Sequence, residues 1–327
     1  MIDQKVKKSL VVDLPEISIV VPLYNESEIF PLLVERLDNV CRNSDYKIEV
    51  VFIDDGSSDD TPFLMRQLAL TDAKYHCIFL ARNHGHQLAL TSGLAFARGS
   101  KAIMVIDGDL QDPPELLPEL IEYYKEGYDV VYAVRKKRKE GLLKKIAYHA
   151  FYRILRSISY IDIPLDTGDF SLMSRRVVDV LNQMPEESRY IRGMRTWIGF
   201  KQVGIEYERS ERAAGDSKYP FKKLFKLALN GIFNFSEFPI KFITTLGFLT
   251  FSSSFVYLVW VIFKKLVFGT VPEGFTALLF TIILFSGVIL LSLGIIGEYI
   301  LRIFFQVKGR PHYIIRDRIL EQKTIHS

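Results

Sequence analysis

Nearly continuous apolar runs recur through the first half of the chain, at Ile17 to Leu23, Ile48 to Ile53, His76 to Leu80, Ala102 to Ile106 and Asp129 to Val134. They are rich in β-branched residues and lack the strict alternation of a half-exposed strand. Such runs predict strands buried on both faces of a mainly parallel sheet. Helical patterns lie between them, and two have legible starts. Thr61-Pro62 sets a capping hydroxyl before a first-turn proline. Asp112-Pro113-Pro114-Glu115 repeats the device, with a glutamate three residues after the cap. A further strand and helix are predicted from Phe170 into Arg175 to Met184, and another strand over Val203 to Tyr207. Ligands of such sheets bind beyond the carboxyl ends of the strands. Polar clusters stand there: Tyr24-Asn25-Glu26, Asp54-Asp55-Gly56-Ser57, Arg82-Asn83-His84 and Asp107-Gly108-Asp109.

The pattern changes in the last third. Residues 242–263 and 275–297 contain no Asp, Glu, Lys or Arg. At ~1.5 Å per residue each reaches roughly 33 Å as a helix, enough for a hydrocarbon core of about 30 Å. A pair of buried core helices is the alternative. With residues 264–274 as a short loop, the spans form a hairpin whose two ends share one side. That side carries Lys222, Lys223, Lys226 and Lys241 before the hairpin, and Arg302, Lys308, Arg310 and Arg316 after it. The loop sets Lys264 and Lys265 against Glu273. The bias places the α/β domain in the cytoplasm, on the inner face of a plasma membrane. Residues 219–238 mix aromatics, leucine and lysine, as an interfacial amphipathic helix does, though ordinary packing gives the same pattern. The expected organisation is a catalytic domain over 1–218, a juxtamembrane region over 219–241, spans over 242–263 and 275–297, and a cytoplasmic tail over 298–327. Lys5, Lys7 and Lys8 precede an apolar run that Asp13 and Pro15 break, so no signal peptide is expected.

Composition narrows the chemistry. Of 327 residues, 49% are hydrophobic and 24% charged, which suits a buried core and excludes a disordered chain. A net charge of +4 is too mild to indicate nucleic-acid binding. The two cysteines, Cys41 and Cys77, rule out a disulfide scaffold and a cysteine-based zinc site. A mean hydropathy of +0.14 reflects the apolar C-terminal third. Neither a Gly-x-Gly-x-x-Gly nor a Gly-x-x-x-x-Gly-Lys-Ser/Thr motif occurs, so dinucleotide-fold dehydrogenases and P-loop enzymes lack support.

Asp107 and Asp109 follow a buried strand directly, and Gln111 adds a third oxygen. Hard oxygen ligands at a strand end suit Mg²⁺ or Mn²⁺ and the diphosphate such an ion holds. Asp54-Asp55 ends another strand, where a carboxylate can accept the imide N–H of uracil. An Asx-rich turn capping the next helix accounts for the same residues.

In order and spacing, three segments resemble the inverting GT-A-fold glycosyltransferases: Ser18-Ile-Val-Val-Pro22-Leu-Tyr24-Asn25-Glu26, Val51-Phe-Ile-Asp54-Asp55-Gly56-Ser57 and Asp107-Gly-Asp109-Leu-Gln111-Asp112-Pro113-Pro114. Ala81-Arg82-Asn83-His84-Gly85, Gly168-Asp169-Phe170, Arg212-Ala-Ala-Gly215-Asp-Ser217-Lys218 and Gly297-Glu298-Tyr299 extend the resemblance over roughly residues 16–310. They narrow it to the polyprenyl-phosphate glycosyltransferases, the group of dolichyl-phosphate mannose synthase and the bacterial bactoprenol glucosyltransferases. Gly108 departs from the Ala or Val common in that family, harmlessly if the position acts through its backbone.

The resemblance implies a GT-A catalytic domain, with a Rossmann-like, mainly parallel sheet, joined to a two-helix transmembrane hairpin. It implies that Pro22, Tyr24, Glu26, Ile53 and Asp55 line a uridine pocket. Asp107, Gly108, Asp109 and Gln111 would hold the metal and diphosphate, and Arg135, Arg212 and Lys218 would grip donor or acceptor phosphates. Asp169 would be a base or an orienting residue, with a structural cap as the alternative. The implied reaction moves a sugar, glucose in the bactoprenol branch, from a UDP-sugar to undecaprenyl phosphate with inversion. The partners are that donor, that lipid acceptor and membrane lipid; a homo-oligomer stays open. A lipid monophosphate has a second pKa near ~6, so it arrives as an oxyanion and needs positioning more than a strong base. Apart from Arg135, the basic run through Lys145 reads as a solvated or headgroup-facing surface. A processive polysaccharide synthase would carry Gln-x-x-Arg-Trp, where this chain has only Arg195-Thr196-Trp197, and two spans are too few for a polymer channel. A non-catalytic scaffold is opposed by Asp107, Asp109, Arg212 and Lys218.

Overall fold

In a computed structural model the described residues are 14–136, 167–187, 189–208, 238–269 and 274–326. Strands form where the apolar runs predict them: β1 (Ile17–Leu23), β2 (Ile48–Asp54), β3 (Tyr75–Leu80), β4 (Ala102–Val105), β5 (Val130–Arg135), β6 (Thr167–Ser174) and β7 (Gln202–Tyr207). Every residue of β1 to β4 and β6 is buried, as strands covered on both faces require. The cover comes from α1 (Phe30–Arg42), α2 (Thr61–Thr71), α3 (His86–Phe96), α4 (Leu117–Lys125), α5 (Arg175–Gln183) and α6 (Ile191–Trp197). Helix α3 lies close on the sheet because Gly93 faces it: a Cβ there would stand 2.4 Å from Val20 Cγ1 and 2.5 Å from Ile53 Cδ1.

The sheet order is β7-β5-β6-β4-β1-β2-β3-β8-β9, where β8 (Ile315–Leu320) and β9 (Lys323–His326) come from the far end of the chain. Strands β4, β1, β2 and β3 run parallel, and β5 is parallel to β7. Strand β6 is antiparallel to β4 and β5, and β8 is antiparallel to β3 and β9. The sheet is therefore mixed rather than mainly parallel. A strand buried on both faces gives the same apolar run in either direction, so the pattern carries no directional signal.

The second unit holds α7 (Phe238–Phe268) and α8 (Phe275–Lys308). Both are long and apolar enough to cross a membrane, and large apolar side chains stand exposed along them, including Phe248, Leu266 and Leu290. This is compatible with membrane anchoring. Both helices outrun the expected spans. Lys264 and Lys265 extend α7, and Glu298 and Arg302, paired at 2.9 Å, extend α8, because lysine, glutamate and arginine are good helix formers. The tail expected over 298–327 is likewise no tail: its first residues belong to α8 and residues 315–326 to the sheet.

Candidate active site

Beyond the carboxyl ends of β1 and β2 the chain is laced by hydrogen bonds. Ser57 Oγ accepts from the Asn25 amide at 2.9 Å, and Asn25 Oδ1 accepts from the Ser58 amide at 2.8 Å. Asn25 adopts φ 54° to do this. Thr61 does not cap its own helix. Its hydroxyl accepts from the Glu26 amide at 2.9 Å, while the Asp59 carboxylate takes the amides of Ser27 and Thr61. Asp55 is 3% exposed, and its two oxygens accept the backbone N–H groups of His84 at 2.7 Å and Gly85 at 2.9 Å. Burial pushes its carboxyl above the ordinary value, against those two bonds. Gly56 permits the approach: it has φ +70°, and a Cβ there would stand 2.5 Å from the Arg82 carbonyl carbon.

A second cluster joins α3, β4, β6 and α6. His86 opens α3, with Nε2 3.4 Å from Asp107 Oδ1 and 3.3 Å from Asp169 Oδ2. Burial opposes its charge, but Asp169, Asp107 and Asp55 raise its pKa to about 9. Gln87 donates to Asp169 Oδ2 at 2.7 Å and accepts from the Ile191 amide at 2.9 Å, tying α6 to the carboxylate. Arg192 stands 4.0 Å from Asp169 Oδ1. Burial works against the Asp169 charge, yet His86, Arg192 and Arg195 hold its carboxyl well below the usual range. Arg195 is 1% exposed and lies over the Tyr132 ring at 5.2 Å, and none of its guanidinium nitrogens makes a hydrogen bond. His86, Gln87, Arg192 and Arg195 are not among the residues expected from the sequence. Their signals were a polar pair opening an apolar helix and two arginines one helical turn apart.

The other expected residues divide. Arg135 Nε donates to Tyr207 Oη at 3.4 Å, and Tyr207 Oη donates in turn to Asp112. Burial opposes the Arg135 charge, but Asp112, Tyr207 and Asp107 raise its pKa further. Asp112 is therefore a buried acceptor rather than a cap, and Glu115 pairs with Arg36 at 2.5 Å. Asp109 Oδ1 accepts from the Gln111 amide at 3.2 Å. Tyr24 is 40% exposed, whereas Pro22 and Ile53 are buried in the framework. Gly108 is not indifferent: a Cβ there would stand 2.4 Å from Leu23 Cδ2 and 3.1 Å from the Pro22 oxygen, so alanine would require Leu23 to move. Arg212, Lys218, the run beyond Lys136 and most of the juxtamembrane region lie outside the described residues.

For a hard cation the donor set has the right chemistry, since Asp107 Oδ1 is buried and makes no hydrogen bond. Among the described residues no group of three or more His, Cys, Asp or Glu side chains is placed to hold a metal ion.

The family model of glycosyl transferase family 2 matches residues 18–181. An uncharacterised glycosyltransferase of Bacillus subtilis, YkcC, is 46% identical over 311 residues, covering 94% of this chain and 96% of the relative. The SfII prophage-derived bactoprenol glucosyl transferase of Shigella flexneri is 41% identical over 302 residues, covering 92% and 97%. Among solved structures, the mannosyltransferase PcManGT of Pyrobaculum calidifontis, in complex with GDP-Man and Mn²⁺, aligns at a TM-score of 0.40 with 22% identity, covering 60% of this chain and 56% of that one. With its strand-end carboxylates inside the matched segment and two relatives similar over nearly their whole length, this chain belongs to glycosyl transferase family 2.

Proposed function

We propose that the protein transfers glucose from UDP-glucose to a polyprenyl phosphate of the undecaprenyl type, with inversion, at the cytoplasmic face of a membrane. The observation that carries this reading is the bridge from Asp107 to Asp169 through His86, in a chain 41% identical to a bactoprenol glucosyl transferase. One imidazole spans from the carboxylate of the diphosphate side to the carboxylate suited to the acceptor. The uridine sits against Tyr24, Glu26 and the loop held by Asp55, whose oxygens keep lone pairs for an imide N–H. Pro22 and Ile53 support that pocket from within.

Asp107 and Asp109 with Gln111 would hold a divalent cation, Mg²⁺ or Mn²⁺, which would supply charge neutralisation on the diphosphate leaving group. Arg135, beside Asp107, adds a fixed cation to the same end. The acceptor phosphate is already an oxyanion near neutral pH. Asp169, held ionised by its cationic neighbours, is a poor proton acceptor and acts by orienting His86 and Gln87. Arg212 and Lys218 grip the acceptor phosphate, the arginine bidentately.

Strand β8 supports the topology. It pairs with β3 in the sheet of the catalytic unit, which supports the reading that both ends of the apolar helix pair lie on one side of the membrane.

Incubating the purified protein with undecaprenyl phosphate and a panel of UDP-sugars, then weighing the lipid, tests the reading. A product heavier by one hexose, formed from UDP-glucose and abolished by excess chelator, is expected. Absence of any sugar-bearing lipid with every donor would overturn it.

A further inference from the structure

The segment that follows α8 is joined to the candidate nucleotide pocket at one end and to a buried ionic network at the other. At the near end, Ile314 O accepts from the Ala81 amide at 2.8 Å, and the Ile314 amide faces His84 Nε2 at 3.4 Å. The contacted loop, Ala81 to Gly85, carries the two N–H groups that occupy both oxygens of Asp55. His312 stands 3.6 Å from Glu187, and Tyr313 lies within the electrostatic reach of Arg189, so neighbouring residues tie the segment down as well.

In the middle, β8 pairs with β3 from Cys77↔Ile319 to Leu80↔Ile315, and the register shifts between Phe79 and Leu80 as the chain enters the loop. Asp317, 6% exposed, accepts from Arg66, whose guanidinium lies 4.1 Å over the Phe79 ring. Ile319 is fully buried. At the far end the β8–β9 turn places Glu321 and Gln322 at φ 49° and 61°, a left-handed conformation that ordinary side chains avoid. Glu321 is held there. Its carboxylate accepts from Arg98 at 2.6 Å and its amide faces His76 Nδ1 at 3.3 Å. Arg98 and His76 in turn surround the buried Glu49 at 2.9 and 3.3 Å.

A free tail needs none of this. A segment pinned at both ends and through its middle, with its entry point bonded to the Asp55 loop, sets the position of that loop. We propose that residues 312–320 are a positioning element of the donor pocket, holding the Ala81–Gly85 loop onto Asp55 so that the nucleotide meets a preformed wall. This rests on the reading of that pocket as the UDP site. The consequence is directional: whatever displaces the chain after α8 loosens the donor side first, while the carboxylate Asp169, tied to Gln87 and His86, stays in place.

The test uses the full-length chain in detergent and UDP alone as probe. Asp317→Lys sets a cation against Arg66 and Arg316 and should release β8. Hydrogen exchange at the His84 and Gly85 amides should quicken by at least tenfold, and UDP should bind about tenfold more weakly, while amides of β1 and β2 keep their protection. A second variant, Ile314→Pro, leaves the pairings of β8 and removes only the N–H facing His84. It should give the same change at the loop on a smaller scale, with the sheet intact even if Asp317→Lys fails to fold. Unchanged loop exchange and UDP affinity in a variant whose β8 amides have lost protection, or in Ile314→Pro, would overturn the inference. If the wild-type chain does not bind UDP, the reading of the pocket fails instead, and the exchange data still report whether the segment holds the loop.

Discussion

Asp55 and Asp169 are the same residue type and are nearly equally buried, at 3% and 8% exposure, yet their protonation equilibria are pushed in opposite directions. Asp55 is bonded to neutral partners, two backbone N–H groups, while Asp54 and His86 act on it in opposite directions. The two amide dipoles offset only part of the cost of burial, and the Asp55 pKa rises. Asp169 is met by an imidazolium and two guanidinium groups, which outweigh the same cost, and its pKa falls. Burial pushes both carboxylates up, and the charge of what each one faces decides whether that push prevails. On the proposed reading, the difference divides the candidate site into a donor side built from directional neutral hydrogen bonds, suited to a base edge, and an opposite side built from full charges, suited to phosphate.

The largest effect should come from removing the negative charge on the ionic side. Asp169→Asn keeps the shape but removes the charge faced by Arg192 and Arg195 and one of the carboxylates against His86, and turnover with undecaprenyl phosphate should fall about 10³-fold, ~4 kcal/mol of transition-state stabilisation. Calorimetry with UDP should show donor binding nearly unchanged. Equal losses in turnover and UDP affinity would erase the division between the two sides.

A third buried carboxylate sharpens the comparison. Glu49 accepts from Ser18 at 2.6 Å and from Arg98 at 2.6 and 2.9 Å, and His76 lies 3.3 Å away. Although burial opposes its charge, His76, Ser18 and Arg98 bring its pKa down to about 2, so it follows Asp169 rather than Asp55. The folded value lies below the unfolded one near ~4.3. The stabilisation is thus complete above about pH 5 and is lost as pH falls toward 2. Glu49→Gln should cost about 3 kcal/mol at pH 7 and flatten the acid limb of stability. Denaturant melts at pH 7 and pH 3 read both, and an equal deficit at the two values would contradict the assignment.

Asp55→Asn should act on the other side alone. An amide offers one acceptor oxygen where the loop needs two, so UDP should bind about tenfold more weakly, ~1.4 kcal/mol. Turnover at saturating donor should hold, a split that steady-state kinetics resolves.

The smallest expected change is a gain. Arg195 is fully buried without a hydrogen-bond acceptor, a costly state for a cation. Arg195→Met should raise stability by about 1 kcal/mol while weakening the electrostatic hold on Asp169, so the melting temperature rises as turnover falls. A lower melting temperature would mean that the guanidinium supports the fold.

Much of this arrangement was legible in the chain. The runs ISIVVPL and IEVVFI are strands because β-branched residues on both faces leave no solvent side, and that is a local property. Asp107 and Asp55 were legible because each directly follows such a run. The caps were misread for a tertiary reason: Thr61 and Asp112 have capping chemistry, but Glu26 and Tyr207 claim their oxygens from elsewhere in the fold. The burial of Arg195 was not legible, because an arginine pair on a short helix ordinarily faces water.

The sequence by itself determined the positions of the strands, the polar clusters at their ends and the two long apolar helices, since each is written in neighbours a few residues apart. Only the tertiary structure decided the direction of β6, the return of residues 315–320 to the edge of β3, and the state of Asp169. Gln87 and Asp169 stand 82 positions apart in the chain yet 2.7 Å apart in space. A carboxylate's pKa is set by charges within a few ångströms of it, and which charges those are depends on how the strands are ordered.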